Sequence, residues 1–178
     1  MELLTGELTR LRAVEPRDVE RIQEWENNTK VWHVSQTFAP FSRFTIEQYI
    51  QTAQLDIFEA KQLRLIIECT EETPTPIGAI DLFDFHPHHK RAGVGILIND
   101  EKHRGKGYAT DALRTLIHYA FSRLELHQLY CSITASNLTS LKLFKKAGFV
   151  ESGKKREWLR VQNVWEDEIL LQLLNPMQ

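Results

Sequence analysis

Apolar and polar residues alternate from Leu8 to Val14 (LTRLRAV), which predicts a β-strand. Pro16 and Asp18 follow, a proline-early and acid-early start for a helix running to about Trp25. Lys30 to Phe44 is aromatic and irregular. A second helix is expected from about Thr45 to Lys61, with Thr45 as N-cap and Gln48 in the capping-box position. LRLIIEC, PIGAIDLFDF and RAGVGILI read as three strands, the first two parted by the turn EETPTP and the last two joined by HPHHK. The period then changes: Ala109, Ala112, Leu113, Leu116, Ile117, Ala120 and Phe121 share one helical face. HQLYCSITA returns to strand, and Asn137 to Ala147 is helical, with Lys145 and Lys146 in its last turn and Gly148 as its stop. Phe149 to Leu174 gives two strands about a turn near Val161 to Asn163. The order βα–αβββαβαββ is that of an α+β domain, one sheet with helices on its faces.

No repeat, low-complexity tract or linker interrupts residues 1–178, which are read as a single domain. Hydrophobic residues make up 42% and charged residues 26%, an ordinary folded composition. The formal net charge of -2 argues against nucleic acid or an anionic membrane as the main partner. No apolar run approaches the ~20 residues of a membrane span, and the opening MELLTGELTRLRAV lacks the order of a signal peptide, so a cytoplasmic location is expected. Cys69 and Cys131 lie inside apolar runs and are expected to be buried, reduced thiols. His86, His88 and His89 lack paired-ligand spacing, and no metal is expected.

The stretch from His103 to Ala112, HRGKGYATDA, joins a strand to the long amphipathic helix. An ATP-binding P-loop would need G-x-x-x-x-G-K-[ST], which is not there, and the dinucleotide fingerprint would need a third glycine where Thr110 stands. What remains is R-x-x-G-x-A, from Arg104 to Ala109. Gly105 and Gly107 let successive amides converge on an anion, and the first helical turn adds unpaired N–H donors and the positive end of its dipole. A pyrophosphate is the natural guest. The alternative is a glycine-rich turn that merely starts a helix.

With this loop in place, the chain resembles the GNAT superfamily of acetyl-CoA-dependent N-acetyltransferases over nearly its whole length. ILINDEKHRGKGYATDAL is similar to the family's fourth strand, pyrophosphate loop and third helix, and SNLTSLKLFKKAGFVESG to its second acetyl-CoA segment. The opening TRLRAVEPRDVERI and the ending REWLRVQNVWEDEILLQL resemble the branch with ribosomal-protein Nα-acetyltransferases and spermidine N-acetyltransferases. The resemblance implies a mixed, mostly antiparallel sheet of about seven strands with helices on both faces. It implies acetyl-CoA as cosubstrate and a primary amine as acceptor, a polyamine or a protein N-terminus, and is compatible with a homo-oligomer. By family position, Leu97, Ile98 and Asn99 pair with the pantetheine arm, Arg104, Gly105, Lys106, Gly107, Tyr108, Ala109 and Thr110 hold the pyrophosphate, and Asn137 and Phe144 complete the cofactor site.

The catalytic residues depart from the family pattern. Gly93 stands where many members carry a glutamate base, and Phe144 where the spermidine enzymes carry a tyrosine acid. Asp81 and Asp84 match third-strand acidic positions of the spermidine enzymes, and their spacing of three puts them on opposite faces of a regular strand. Asp84 is the favoured base and Asp81 a substrate contact; Ser140, one turn before Phe144, is the favoured acid. Trp32 and Phe38 are expected to line the acceptor cleft, while Glu24 and Glu26 read as a solvated face. These departures leave a second class of function in view, a non-catalytic acyl-CoA-binding module of the same fold.

Overall fold

Isoleucine and leucine fill both faces of LRLIIEC, so a sheet built on it must be covered on two sides. A computed structural model shows how the chain does so. It describes residues 3–35, 37–53, 55–71 and 73–176; Gln36, Gln54 and Glu72, which fall within the segments forecast above, lie outside those ranges.

Seven strands, β1 (Thr9–Ala13), β2 (Leu63–Cys69), β3 (Thr75–His86), β4 (Arg91–Ile98), β5 (Gln128–Thr134), β6 (Val150–Val161) and β7 (Val164–Leu174), form one sheet in the order β1-β2-β3-β4-β5-β7-β6. Every neighbouring pair is antiparallel except β4 and β5. The helices are α1 (Val19–Glu26), α2 (Trp32–Ser35), α3 (Arg43–Thr52), α4 (Ile57–Ala60), α5 (Tyr108–Ser122) and α6 (Leu138–Lys146). Leu65, Ile67, Ile80 and Leu82 pack with Ala112, Leu113, Leu116 and Ala120 of α5 on one face. Ile66, between Leu65 and Ile67, points the other way and packs with Val19 and Ile22 of α1 and Ile46 and Ile50 of α3.

The helix forecast from Thr45 to Lys61 is corrected. Ser42 is the cap, its Oγ accepting from Thr45 N, so α3 starts at Arg43 and ends at Thr52. Asp56 then caps a separate turn, accepting from Phe58 N and Glu59 N, and Lys61 ends it in a left-handed conformation. A serine and an aspartate each satisfy free amides, and this fixes the boundaries more firmly than the apolar period does. The final turn is as forecast: Gln162 and Asn163 both take positive φ, as a tight hairpin requires.

An ion-pair network ties β1 to β2 and to the start of α1. Arg12 donates through Nη1 and Nη2 to both carboxylate oxygens of Asp18, at 2.7 and 2.8 Å, and through Nε to Glu68. Arg10 donates to the other Glu68 oxygen at 2.8 Å. The Asp18 and Glu68 side chains are only 4% and 6% exposed, so screening by water is weak. Burial by itself would raise both carboxyl pKa values, but the hydrogen bonds and charge of Arg12 outweigh it and hold both below the ordinary range. Their stabilisation is therefore present above the ordinary carboxyl pKa and is lost as pH falls through the lowered values. Arg12→Leu should lower stability by about 3–5 kcal/mol at neutral pH, stranding the buried Asp18 charge and leaving Glu68 with Arg10 alone. Urea unfolding should show that penalty in full above the ordinary carboxyl range, about pH 4, and shrinking as pH falls below it and the carboxylates become protonated.

Candidate active site

Strands β4 and β5 run together for only three residue pairs, Arg91–Gln128, Ala92–Leu129 and Gly93–Tyr130. Beyond them β4 continues on β3 to Ile98, and β5 continues on β7 to Thr134. Each strand is held on its outer side while the facing edges separate. Alternate residues along Val94–Ile98 and Cys131–Thr134 thus turn their backbone N–H and C=O groups toward a cleft rather than toward β3 or β7, and extended groups of a ligand can take their bonds. A cavity of about 570 Å³ opens there, lined by Gly95, Leu97 and Asn99 on one side and by Cys131, Thr134, Asn137, Ser140 and Phe144 on the other.

The sequence forecast for the cofactor side sorts out residue by residue. Leu97, Asn99, Asn137 and Phe144 line the cavity; Ile98 instead is packed in the core, 7% exposed. Asn137 also caps α6, its Oδ1 accepting from Ser140 N at 3.2 Å, which leaves its NH₂ group for a ligand. Gly105 and Gly107 take φ values of 74° and 91°, in the left-handed region, and Gly107 is the N-cap of α5. The amides of Tyr108, Ala109 and Thr110 form the open first turn of that helix. Arg104 fixes the loop to β4, its guanidinium donating to Ile98 O at 2.8 Å and Asn99 O at 3.4 Å. Lys106 is exposed, and Tyr108 is buried with its hydroxyl bonded to Glu71 at 2.7 Å. Arg104 to Thr110 lie outside the lining of the cavity itself, joined to it through Asn99.

Opposite these strand edges stands a charged group of which the sequence pointed to Asp81 but not to Arg64 or to the place of Glu26 beside it. Arg64 donates to Asp81 through Nε and Nη2, at 2.7 and 3.1 Å, and to Glu26 through Nη1 at 2.6 Å. Its guanidinium lies 5.4 Å from the centre of the Tyr49 ring. Burial works against its charge, but Asp81, Tyr49 and Glu26 more than compensate and hold the proton more firmly than usual. All three ionic residues line the cavity, so the cluster carries one net negative charge there. Glu26 is therefore part of the cavity wall; Glu24 is exposed, as forecast. The alternation of β2 and β3, set by the pairing of Arg64 with Asp81, is the signal that could have found this group.

Asp84 does not enter the cavity. It is exposed, has φ 47° and accepts from the Tyr130 hydroxyl at 3.2 Å, at a bulge where the β3–β4 register shifts. The bulge turns it aside, and Asp81 is the third-strand acid that the fold presents. Trp32 and Phe38 are outside the lining as well. The Trp32 indole donates to Glu26 O at 2.8 Å, holding the end of α1, and Phe38 is 91% exposed. Trp25, Val31 and His33 line that wall instead. Gly93 is explained by Phe83: a Cβ at Gly93 would lie 2.3 Å from the Phe83 ring, which occupies the space a glutamate would need. Cys131, in the cleft, has its thiol pKa pushed up to about 12 by burial. His86, His88 and His89 stack in the β3–β4 turn, with His86 and His89 centroids 4.3 Å apart, away from the cavity lining.

Comparison with known proteins gives this geometry a family. The model of the acetyltransferase (GNAT) domain matches residues 9–150. The N-acetyltransferase YjcK of Bacillus subtilis, a provisional assignment, is 37% identical over 101 residues, and the chain spans about half its length, 55%. YdaF of the same organism, provisionally a ribosomal N-acetyltransferase, is 31% identical across 92% of this chain and 90% of its own. The spermidine N(1)-acetyltransferase of Vibrio cholerae is 27% identical across 92% of this chain and 91% of its own. A crystal structure of the Vibrio cholerae spermidine N-acetyltransferase in complex with CoA and spermine superposes with a TM-score of 0.84 at 24% identity, covering 95% of this chain and 96% of that one. With the seven-stranded sheet, the split between β4 and β5 and a family match over most of its length, the chain belongs to the acetyltransferase (GNAT) family and is an N-acetyltransferase.

Proposed function

We propose that the cleft between β4 and β5 holds the arm of acetyl-CoA and that a primary amine enters from the wall formed by Trp25, Glu26, His33, Arg64 and Asp81. The parted edges of β4 and β5 carry this reading, since they offer a run of free backbone groups beside a charged acceptor wall. The left-handed glycines and open amides at the start of α5 suit the pyrophosphate. Acetyl-CoA supplies a thioester carbon open to attack. A backbone N–H of β4 donates to the oxygen on which charge develops, a fixed donor in a partly dry cleft. Asp81 receives the proton that the amine loses as the C–N bond forms. Ser140 gives its proton to the sulfur as the C–S bond breaks and regains one from solvent. Phe144, 3% exposed and edge-on to Phe149 at 5.0 Å, supplies wall rather than acid.

Direct attack fits this cleft better than a covalent acetyl-cysteine, because Cys131 is kept as a neutral thiol. A polyamine and a protein N-terminus both present the required amine; one relative is named for spermidine and another, provisionally, as a ribosomal N-acetyltransferase. The buried free thiols Cys69 and Cys131 suit the reducing interior of a cell, a cytoplasmic location. Among the described residues no helix is long and apolar enough to cross a membrane. Trp158, Val164 and Trp165, each more than half exposed on the β6–β7 hairpin, offer apolar surface for a homo-oligomer.

Thiol release from acetyl-CoA, followed with spermidine and with short peptides bearing a free N-terminus, tests the activity; acceptor-independent or absent release would favour a binding module. Asp81→Asn should lower turnover with the best acceptor by about 10²-fold or more at neutral pH, with partial recovery at high pH, while the affinity for CoA stays within about twofold. Ser140→Ala should reduce kcat rather than raise KM, and Phe144→Tyr should partly rescue it by restoring a hydroxyl on the same helix face. Gly107→Val should weaken CoA binding in calorimetry, because a branched side chain cannot easily hold φ 91° and would crowd the anion. After incubation with acetyl-CoA alone, intact-protein mass spectrometry should find no acetyl group on Cys131.

A further inference from the structure

Outside the cleft, three chemically different donors converge beside the start of the pyrophosphate loop. Cys69 ends β2, Glu71 lies two residues on, and His103 immediately precedes Arg104; one donor atom from each lies within 4.8 Å of the other two. The chain brings them together by folding over more than thirty residues. Cys69 is 1% exposed, and the His103 side chain 16%. The Glu71 carboxylate, although exposed, is turned inward, with one oxygen accepting from the Tyr108 hydroxyl at 2.7 Å. Asp100 Oδ2 lies 3.0 Å from His103 Nδ1, a polar contact that holds the imidazole from behind and leaves Nε2 as the nitrogen for a ligand. A thiol, an imidazole and a carboxylate facing one point, with further polar groups against two of them, form a metal-ligand set with the beginnings of an outer shell.

We propose that Cys69, Glu71 and His103 bind one zinc ion, with water as the fourth ligand. Sulfur and nitrogen donors favour zinc over magnesium or calcium, which take oxygen sets. Zinc bond lengths of about 2.0–2.3 Å place ligand atoms about 3.5 Å apart, within reach of small side-chain adjustments from the present spacing. On binding, the Cys69 S–H bond gives way to an S–Zn bond and one proton leaves to solvent. The ion would clip the end of β2 to the segment that leads into Arg104 and the glycine loop. This departs from the expectation of no metal, which weighed only the His86, His88 and His89 group. It is independent of the acceptor reading.

The test is calorimetric titration of the chelator-treated full chain with zinc chloride, beside cobalt(II) substitution read by absorption. The expected result is one zinc per chain and a cobalt spectrum with a thiolate-to-metal charge-transfer band and the strong visible bands of four-coordination. Cys69→Ser should abolish the charge-transfer band, and Glu71→Gln, at an exposed side chain that leaves the core intact, should weaken zinc binding about tenfold or more. Cys131→Ala should keep both the stoichiometry and the spectrum. Absence of zinc binding by the folded wild type, a cobalt spectrum without the thiolate band, or binding that survives Cys69→Ser and Glu71→Gln but is lost in His89→Ala would overturn the proposal.

Discussion

The parting of β4 from β5 is the constraint on which the rest of the molecule depends. A parallel pair in mid-sheet ordinarily satisfies its own backbone; here the two strands share only three residue pairs before they diverge. What makes the divergence tolerable is the commitment of each strand elsewhere, β4 to β3 as far as Ile98 and β5 to β7 as far as Thr134. The sheet stays continuous while one seam opens. That seam leaves backbone edges open to the cavity, and it brings Asn137, Ser140 and Phe144, at and within the last short helix, against the strand that carries Gly95 and Leu97. Without it the cavity would close into core, since Val94, Cys131 and Ile133 are already buried there.

Two arginines show how the same ionic chemistry serves different ends. Arg12 and its partners Asp18 and Glu68 are almost sealed from water, and their network fastens the first strand to the second and to the first helix. Arg64, Glu26 and Asp81 have the same composition, but each side chain is about a quarter exposed and the group borders the cavity. The first network can only stabilise. The second remains open to water and to whatever enters the cavity.

The long helix α5 divides its first turn in a similar way. Its first amides and the glycines before it lie open, whereas Asp111, one turn in, accepts from Glu7 N, Leu8 N and Thr9 N at 2.9–3.0 Å and from Thr9 Oγ1 at 2.7 Å. A single carboxylate thus anchors the segment entering β1 to the helix. The position of the glycine loop relative to the sheet is set by that anchor on one side and by Arg104 on the other.

Local signals were enough to place the strands, the long helix, the left-handed glycines and the last hairpin turn, because each rests on a period or a dihedral preference carried by neighbouring residues. They also brought out R-x-x-G-x-A and the segment from Asn137 to Phe144, where residue type and short spacing carry the chemistry. They misplaced the helix at Thr45, since Ser42 and Asp56 cap by side-chain geometry rather than by apolar period. They favoured Asp84 over Asp81 because a bulge cannot be read from alternation, and they took Glu26 for a solvated residue because its partner Arg64 lies 38 positions away. Gly93 was legible only as a missing acid; the Phe83 ring that excludes a side chain there belongs to the neighbouring strand. The sequence by itself determined the elements and the glycine loop that opens α5. Only the tertiary structure decided the charged wall of the cavity, because long-range strand register brings Glu26, Arg64 and Asp81 to one place, and register is fixed by packing across the whole sheet.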